Sequence, residues 1–133
     1  MSTRAVYGFK DQGDTHYVYV HHDGYPTGAA EKFANTLASK NVWALPRFEA
    51  DEFAAGFIAV NKTSQGGVRL THGPEFHGDI EYYYLVSQAK EDGPLTMEAF
   101  SCSFDSDART AFYTGTLSDF IKNAKRIEAK IAA

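Results

Sequence analysis

Tyr19-Val20-His21-His22-Asp23-Gly24-Tyr25-Pro26-Thr27-Gly28 is the stretch in which the chain changes period. Ahead of it, residues 16–21 alternate as a strand does. Val18 and Val20 face one way with His16, while Tyr17, Tyr19 and His21 face the other. Beyond it, Phe33 and Leu37 lie four apart, and Ala29, Ala30, Ala34 and Ala38 keep that surface small. That spacing predicts a helix from about Thr27 to Ser39. Asp23-Gly24 is a turn pair and Pro26 pre-sets φ for a first helical turn. Thr27 is the expected N-cap, and Asn41 suits a left-handed position after the helix. A strand therefore hands over directly to a helix, and the fold must combine a sheet with helices.

Working outward, residues 3–10 read as a first strand. Ala5, Tyr7 and Phe9 share one face, with Val6 and Gly8 on the other. Asp11-Gln12-Gly13-Asp14 is a turn, so the first two strands pair as a hairpin. Residues 48–61 fit a second helix through Phe48, Glu52, Ala55 and Ala59, but Gly56 weakens it and Phe57-Ile58-Ala59-Val60 also fits a short strand. Residues 62–79 are irregular and hold Gly66-Gly67 and Gly73-Pro74, with Val68 to Thr71 strand-like. Ile80 to Ser87 and Leu95 to Phe104 are strands. In the second, Thr96, Glu98, Phe100, Cys102 and Phe104 carry the bulk and are expected to face the core. Asp105-Ser106-Asp107 turns the chain into a strand over 108–114, which makes a meander. Leu117, Phe120, Ile121, Ala124, Ile127 and Ile131 form a helical stripe capped by Thr116 or Ser118. The reading is a single α+β domain over residues 1–133: a mostly antiparallel sheet covered by two or three helices, including a C-terminal one.

Composition narrows the function classes. The chain has 133 residues, 13 basic and 17 acidic, for a formal net charge of -4. That balance opposes bulk nucleic-acid binding, which needs a positive field. Cys102 is the only cysteine, so no internal disulfide or cysteine-ligated metal cluster is possible. The expected setting is cytoplasmic, without a membrane-spanning segment. Tyrosine-rich strands suit a homo-oligomer interface or a partner surface.

Met1-Ser2-Thr3-Arg4 and Tyr19-x-His21-x-Asp23-Gly24-Tyr25-Pro26-x-Gly28 together resemble small uncharacterised proteins encoded by bacteriophages, prophages and bacteria. Such proteins look like a short strand, a second strand ending in a histidine, then Asp-Gly-Tyr-Pro and a helix. The resemblance covers roughly the first third of the chain. Val20 and His22 depart from the more aromatic or basic residues that often flank this histidine. The resemblance implies a phage or bacterial accessory protein and no particular reaction.

The candidate ligand site is His21, His22, Asp23, Tyr25, Thr27 and Gly28, with Tyr19, His72 and His77 as possible additions. Unpaired N–H groups in a helix's first turn suit an anion. His21 can donate to it, Tyr25 can stack on a ring, and Gly28 permits close approach. Turn chemistry alone also explains Asp-Gly-Tyr-Pro. Tyr25 precedes a proline and is held extended, and the histidines then end a strand. These residues favour a non-catalytic module holding a host or phage protein, or a small anionic, nucleotide-like ligand, with no cofactor. One rival is a metal-dependent phosphoester hydrolase using His21, His22 and Asp23, with His72 or His77 completing the set and His16 and Asp79 in reserve. Another is a small structural or assembly protein. The binding reading places His21, Tyr25 and either His72 or His77 around one shallow concavity at the helix start.

Overall fold

The computed structural model describes residues 2–103 and 108–132. The expected turn at Asp105-Ser106-Asp107 lies outside them. The hairpin forms as expected: β1 (Ala5–Lys10) pairs antiparallel with β2 (Thr15–Val20), Ala5 opposite Val20 and Lys10 opposite Thr15. The helices α1 (Pro26–Ala38) and α2 (Ala50–Asn61) follow. Then come β3 (Val68–Thr71), a 3-10 turn (Pro74–Phe76), β4 (Tyr82–Ser87), β5 (Thr96–Cys102), β6 (Arg109–Thr116) and α3 (Leu117–Ala132). The described strands make one sheet in the order β3-β2-β1-β4-β5-β6. β1 and β4 run parallel, with Ala5 opposite Tyr82 and Lys10 opposite Ser87, and the remaining pairs are antiparallel. The architecture is α+β.

All three helices lie on one face of the sheet. Ala5, Tyr7, Phe9, Val18, Val20, Tyr84, Val86, Met97 and Ala99 meet Phe33, Phe53, Phe57, Leu117 and Phe120 there. Tyr7 is the centre of this core. Its ring lies 4.8 Å from Phe57, 5.2 Å from Tyr84 and 5.5 Å from Phe33. Each such fully buried aromatic contributes roughly 2–3 kcal/mol by leaving water.

Several expectations change at this level. Residues 50–61 are helical, because Phe53 and Phe57 both reach the core on one helix face and Gly56 sits against Val42 and the Asn41 carbonyl. A Cβ at position 56 would lie 2.4 Å from Val42 Cγ1, so the glycine allows that approach. α1 begins at Pro26 with Tyr25 as its extended N-cap, and not at Thr27. It ends at Ser39, whose N–H and hydroxyl both donate to the Thr36 carbonyl, so Asn41 plays no capping part. Thr116, and not Ser118, caps α3 by accepting from the Asp119 N–H at 3.1 Å.

The inward face of β5 is the opposite of the one expected. Met97 and Ala99 are buried under the helices, and Phe100 and Cys102 lie on the other face. Their bulk is absorbed by a second, smaller apolar cluster of Val6, Tyr19, Ile80 and Tyr83, joined by Tyr17 and Leu85. Tyr82 and Tyr84 share a face, as alternation requires, but that face is the covered one. Tyr84 is fully buried and donates its hydroxyl to the Gly24 carbonyl at 2.6 Å, so it presents no phenol to water.

Candidate functional site

The start of α1 is built entirely from the chain's own groups. Asp23 takes the left-handed conformation (φ 56°), a conformation short acidic and amide side chains tolerate. This turns the chain so that the Gly24 N–H donates to the Thr3 carbonyl at 2.9 Å. The Asp23 carbonyl accepts from Lys32 Nζ at 3.1 Å, and its carboxylate accepts from the Tyr25 hydroxyl at 3.2 Å. The same carboxylate raises the Tyr25 phenol pKa. Burial lowers the Lys32 ammonium, and the charges of Asp23 and Glu31 partly offset it. His22 Nδ1 lies 3.6 Å from Asp23 Oδ2.

Thr27 does not wait for a ligand. Its backbone N–H and its hydroxyl both donate to Glu128 Oε1, at 2.9 and 2.8 Å, across from α3. An internal carboxylate thus sits where an anion was expected at the helix N-terminus. Gly28 is explained by the same packing. A Cβ there would stand 2.1 Å from the Asp23 carbonyl oxygen and 3.1 Å from the Tyr25 ring. The glycine admits the chain's own turn.

His21 and His77 come together elsewhere, around Tyr19 on the sheet face opposite α1, α2 and α3, where the Pro74–Phe76 turn and Ile80 pack. The Tyr19 hydroxyl and His21 Nδ1 share a 2.9 Å hydrogen bond. The His77 ring stacks on Tyr19 with centroids 4.4 Å apart and planes 16° from parallel. His77 Nε2 is fixed by Thr71 Oγ1 at 2.7 Å. The Arg69 guanidinium lies 5.0 Å over the Tyr19 ring. Arg4 pairs with Asp79 at 2.6 Å beside this group. Burial raises the Tyr19 phenol pKa most, and burial also lowers the His77 imidazole, so His77 is neutral near pH 7.

A second set of rings continues across the same face. Tyr83 stacks on Phe100 at 5.6 Å and 17°, and lies 6.5 Å from Tyr17. Arg109 stands 5.3 Å over Tyr83. Gly8 makes this continuity possible. Tyr83, Leu85 and Tyr17 lean into its missing side chain, and a Cβ there would meet their atoms at 3.0 to 3.3 Å. A cleft of about 70 Å³ beside the rings is lined by Glu75, His77, Ile80, Cys102 and Arg109, among others. Burial raises the Cys102 thiol pKa, which keeps the sulfur protonated and a poor nucleophile.

The predicted site residues therefore split. Tyr19, His21 and His77 share contacts on the sheet face opposite α1, α2 and α3. Asp23, Tyr25, Thr27 and Gly28 make the start of α1, with His22 held against Asp23. His72 is exposed and meets Phe76 edge-on at 5.9 Å. Of the residues expected around one concavity, His21, Tyr25 and either His72 or His77, the contacts of His21 and His77 run to Tyr19 and the hydroxyl of Tyr25 donates to Asp23. Among the described residues, no group of three or more His, Cys, Asp or Glu side chains is placed to hold a metal ion. No described helix is long and apolar enough to cross a membrane. Sequence reading missed Arg69, Arg109 and Phe100 as surface partners of the tyrosines. Their signal was alternation, since each falls on the same face as Tyr17, Tyr19 or Tyr83 once the strands are paired. No family model, curated protein or solved structure matches this chain.

Proposed function

We propose that this chain is a non-catalytic binding module that holds a partner protein on the sheet face opposite α1, α2 and α3. It is of the phage or bacterial accessory kind that its His-x-Asp-Gly-Tyr-Pro segment resembles. The observation that carries the reading is the strip of rings from His77 and Tyr19 to Tyr17, Tyr83 and Phe100, edged by Arg69 and Arg109. Apolar and aromatic groups at the centre with polar groups at the rim are the anatomy of protein interfaces, and Tyr and Arg supply much of their energy. Tyr19 and Tyr83 are buried and support this strip from beneath; His77, Tyr17 and Phe100 are half-buried and keep ring surface to lose to a partner, and Arg69 and Arg109 are exposed.

The small size of the cleft on this face supports a protein partner over a nucleotide-like ligand. The cleft there has about 70 Å³, well below the ~300 Å³ at which small-molecule sites begin. At the helix start, a small anion has to displace the Glu128 carboxylate from Thr27. Self-association belongs to the same proposal, because a second copy brings the same apolar strip. Affinity capture from bacterial lysate with the wild type and with Arg69→Glu/Arg109→Glu tests the reading. The wild type is expected to retain a discrete protein that the double variant releases. Equal capture by both removes the sheet face as the site.

A further inference from the structure

A second feature lies at the end of the sheet and plays no part in the sheet-face reading. β1 and β4 are parallel neighbours, and their chains leave in opposite directions after Lys10 and Ser87. β1 turns outward toward β2, and β4 turns outward toward β5. The two departing turns leave a crevice between them at this end of the sheet. Here the crevice is a groove of about 650 Å³ between the two turns, with Phe48 of the α1–α2 link as one wall. That volume falls within the range of about 300–1,000 Å³ typical of small-molecule sites.

Both sides of the groove are pinned. Asp11 Oδ2 accepts from the Ala50 N–H at 2.9 Å, which ties the first turn to the start of α2. Gln88 Nε2 donates to the carbonyls of Pro46 and Gly93 at 2.9 and 2.8 Å, which ties the link to the other turn. A groove held open in this way costs little ordering when a ligand enters. Its charges then decide the ligand. Asp11 is spoken for by the α2 N-terminus, and the Ala50 N–H holds its carboxyl below the usual range. Lys10 and Glu91 remain, both exposed, and neither has an ion-pair partner among the described residues. A phosphate meets one lysine against two carboxylates and is disfavoured. A molecule carrying one charge of each sign is not.

We propose that this groove binds a zwitterion of amino-acid or dipeptide size, with its carboxylate on Lys10, its ammonium on Glu91 and its apolar part on Phe48. NMR titration of the 15N-labelled protein tests it, with L-phenylalanine and L-alanyl-L-phenylalanine as probes. Phenylacetate and phenethylamine serve as single-charge controls. At least one zwitterion is expected to shift the amides of Gln12, Phe48 and Gln88. Each control, and each of Lys10→Gln and Glu91→Gln, is expected to bind about tenfold more weakly. The variants change exposed side chains that brace nothing, so they fold. No shift at those amides by about 10 mM zwitterion, where even millimolar affinity saturates the site, overturns the proposal. So does equal binding of the controls, or unchanged binding by both variants. Because the groove and the sheet face use different residues, failure of either proposal leaves the other standing.

Discussion

Removing the Glu128 carboxylate tests how the start of α1 is built. In Glu128→Ala, the Thr27 N–H and hydroxyl both lose their acceptor. A hydrogen bond to a charged group contributes about 1.5–3 kcal/mol net when protected from water. Thr27 and Glu128 are both half-buried, so water enters and restores part of the loss. Two such bonds then sum to about 2 kcal/mol rather than the full 3–6. Glu128→Gln keeps an oxygen acceptor and loses the charge that favours a helix N-terminus, which leaves a cost of about 1 kcal/mol. For a domain of this size, 1 kcal/mol is about 4 °C in Tm. Thermal unfolding is therefore expected to show drops of about 8 and 4 °C for the two variants. A cycle with Thr27→Ala isolates the hydroxyl bond and is expected to give a coupling of about 1 kcal/mol. Glu128→Ala unfolding within about 0.5 kcal/mol of wild type refutes the reasoning, because surface changes alone reach that size.

Other outcomes follow from the same geometry. The Tyr7 hydroxyl is buried with no hydrogen-bond partner, so Tyr7→Phe is expected to stabilise by about 1 kcal/mol in urea denaturation. Tyr84→Phe strands the Gly24 carbonyl and is expected to cost about 1–2 kcal/mol; the reverse order contradicts this account of the core. Burial lowers the His77 pKa, so its stabilising effect is present above the unfolded value of about 6.5 and is lost as pH falls through the folded value. His77→Gln is expected to flatten the stability profile across that acidic window, and an unchanged profile counts against the Tyr19 stack. Light scattering is expected to show concentration-dependent dimers for the wild type and monomers for Arg69→Glu/Arg109→Glu. A monomeric wild type at high concentration removes self-association from the proposal.

The fold was legible wherever one residue period dominated. Ala5, Tyr7 and Phe9 turned one face of β1 to the helices, with Val6 on the other side, and the stripe from Leu117 to Ile127 faced that same core, so pattern and packing agreed. The pattern failed for β5 because the chain has two apolar clusters. Phe100 fills the smaller one, and a rule that sends bulk inward cannot know which inside is meant. The helix reading of residues 50–61 needed Phe53 and Phe57 to have a target, and that target is Phe9 and Tyr7. The site was legible only in its local part. Asp23-Gly24-Tyr25-Pro26 encodes its own turn within four residues. Glu128 reaches Thr27 from 101 positions away, and no local pattern announces it. The stack of His77 on Tyr19 and the end-groove between Lys10 and Ser87 likewise depend on long-range pairing.

Photo-crosslinking from the sheet face tests the central claim most directly. A benzophenone amino acid replacing Tyr17, among the rings, is compared in living bacteria with one replacing Lys122, an exposed position on α3. The account predicts a discrete protein adduct from position 17 and none from position 122. An adduct of twice 14.7 kDa identifies the partner as a second copy, and any other discrete mass identifies a different protein. No adduct from position 17, or the same adduct from both positions, contradicts the sheet face as the binding surface.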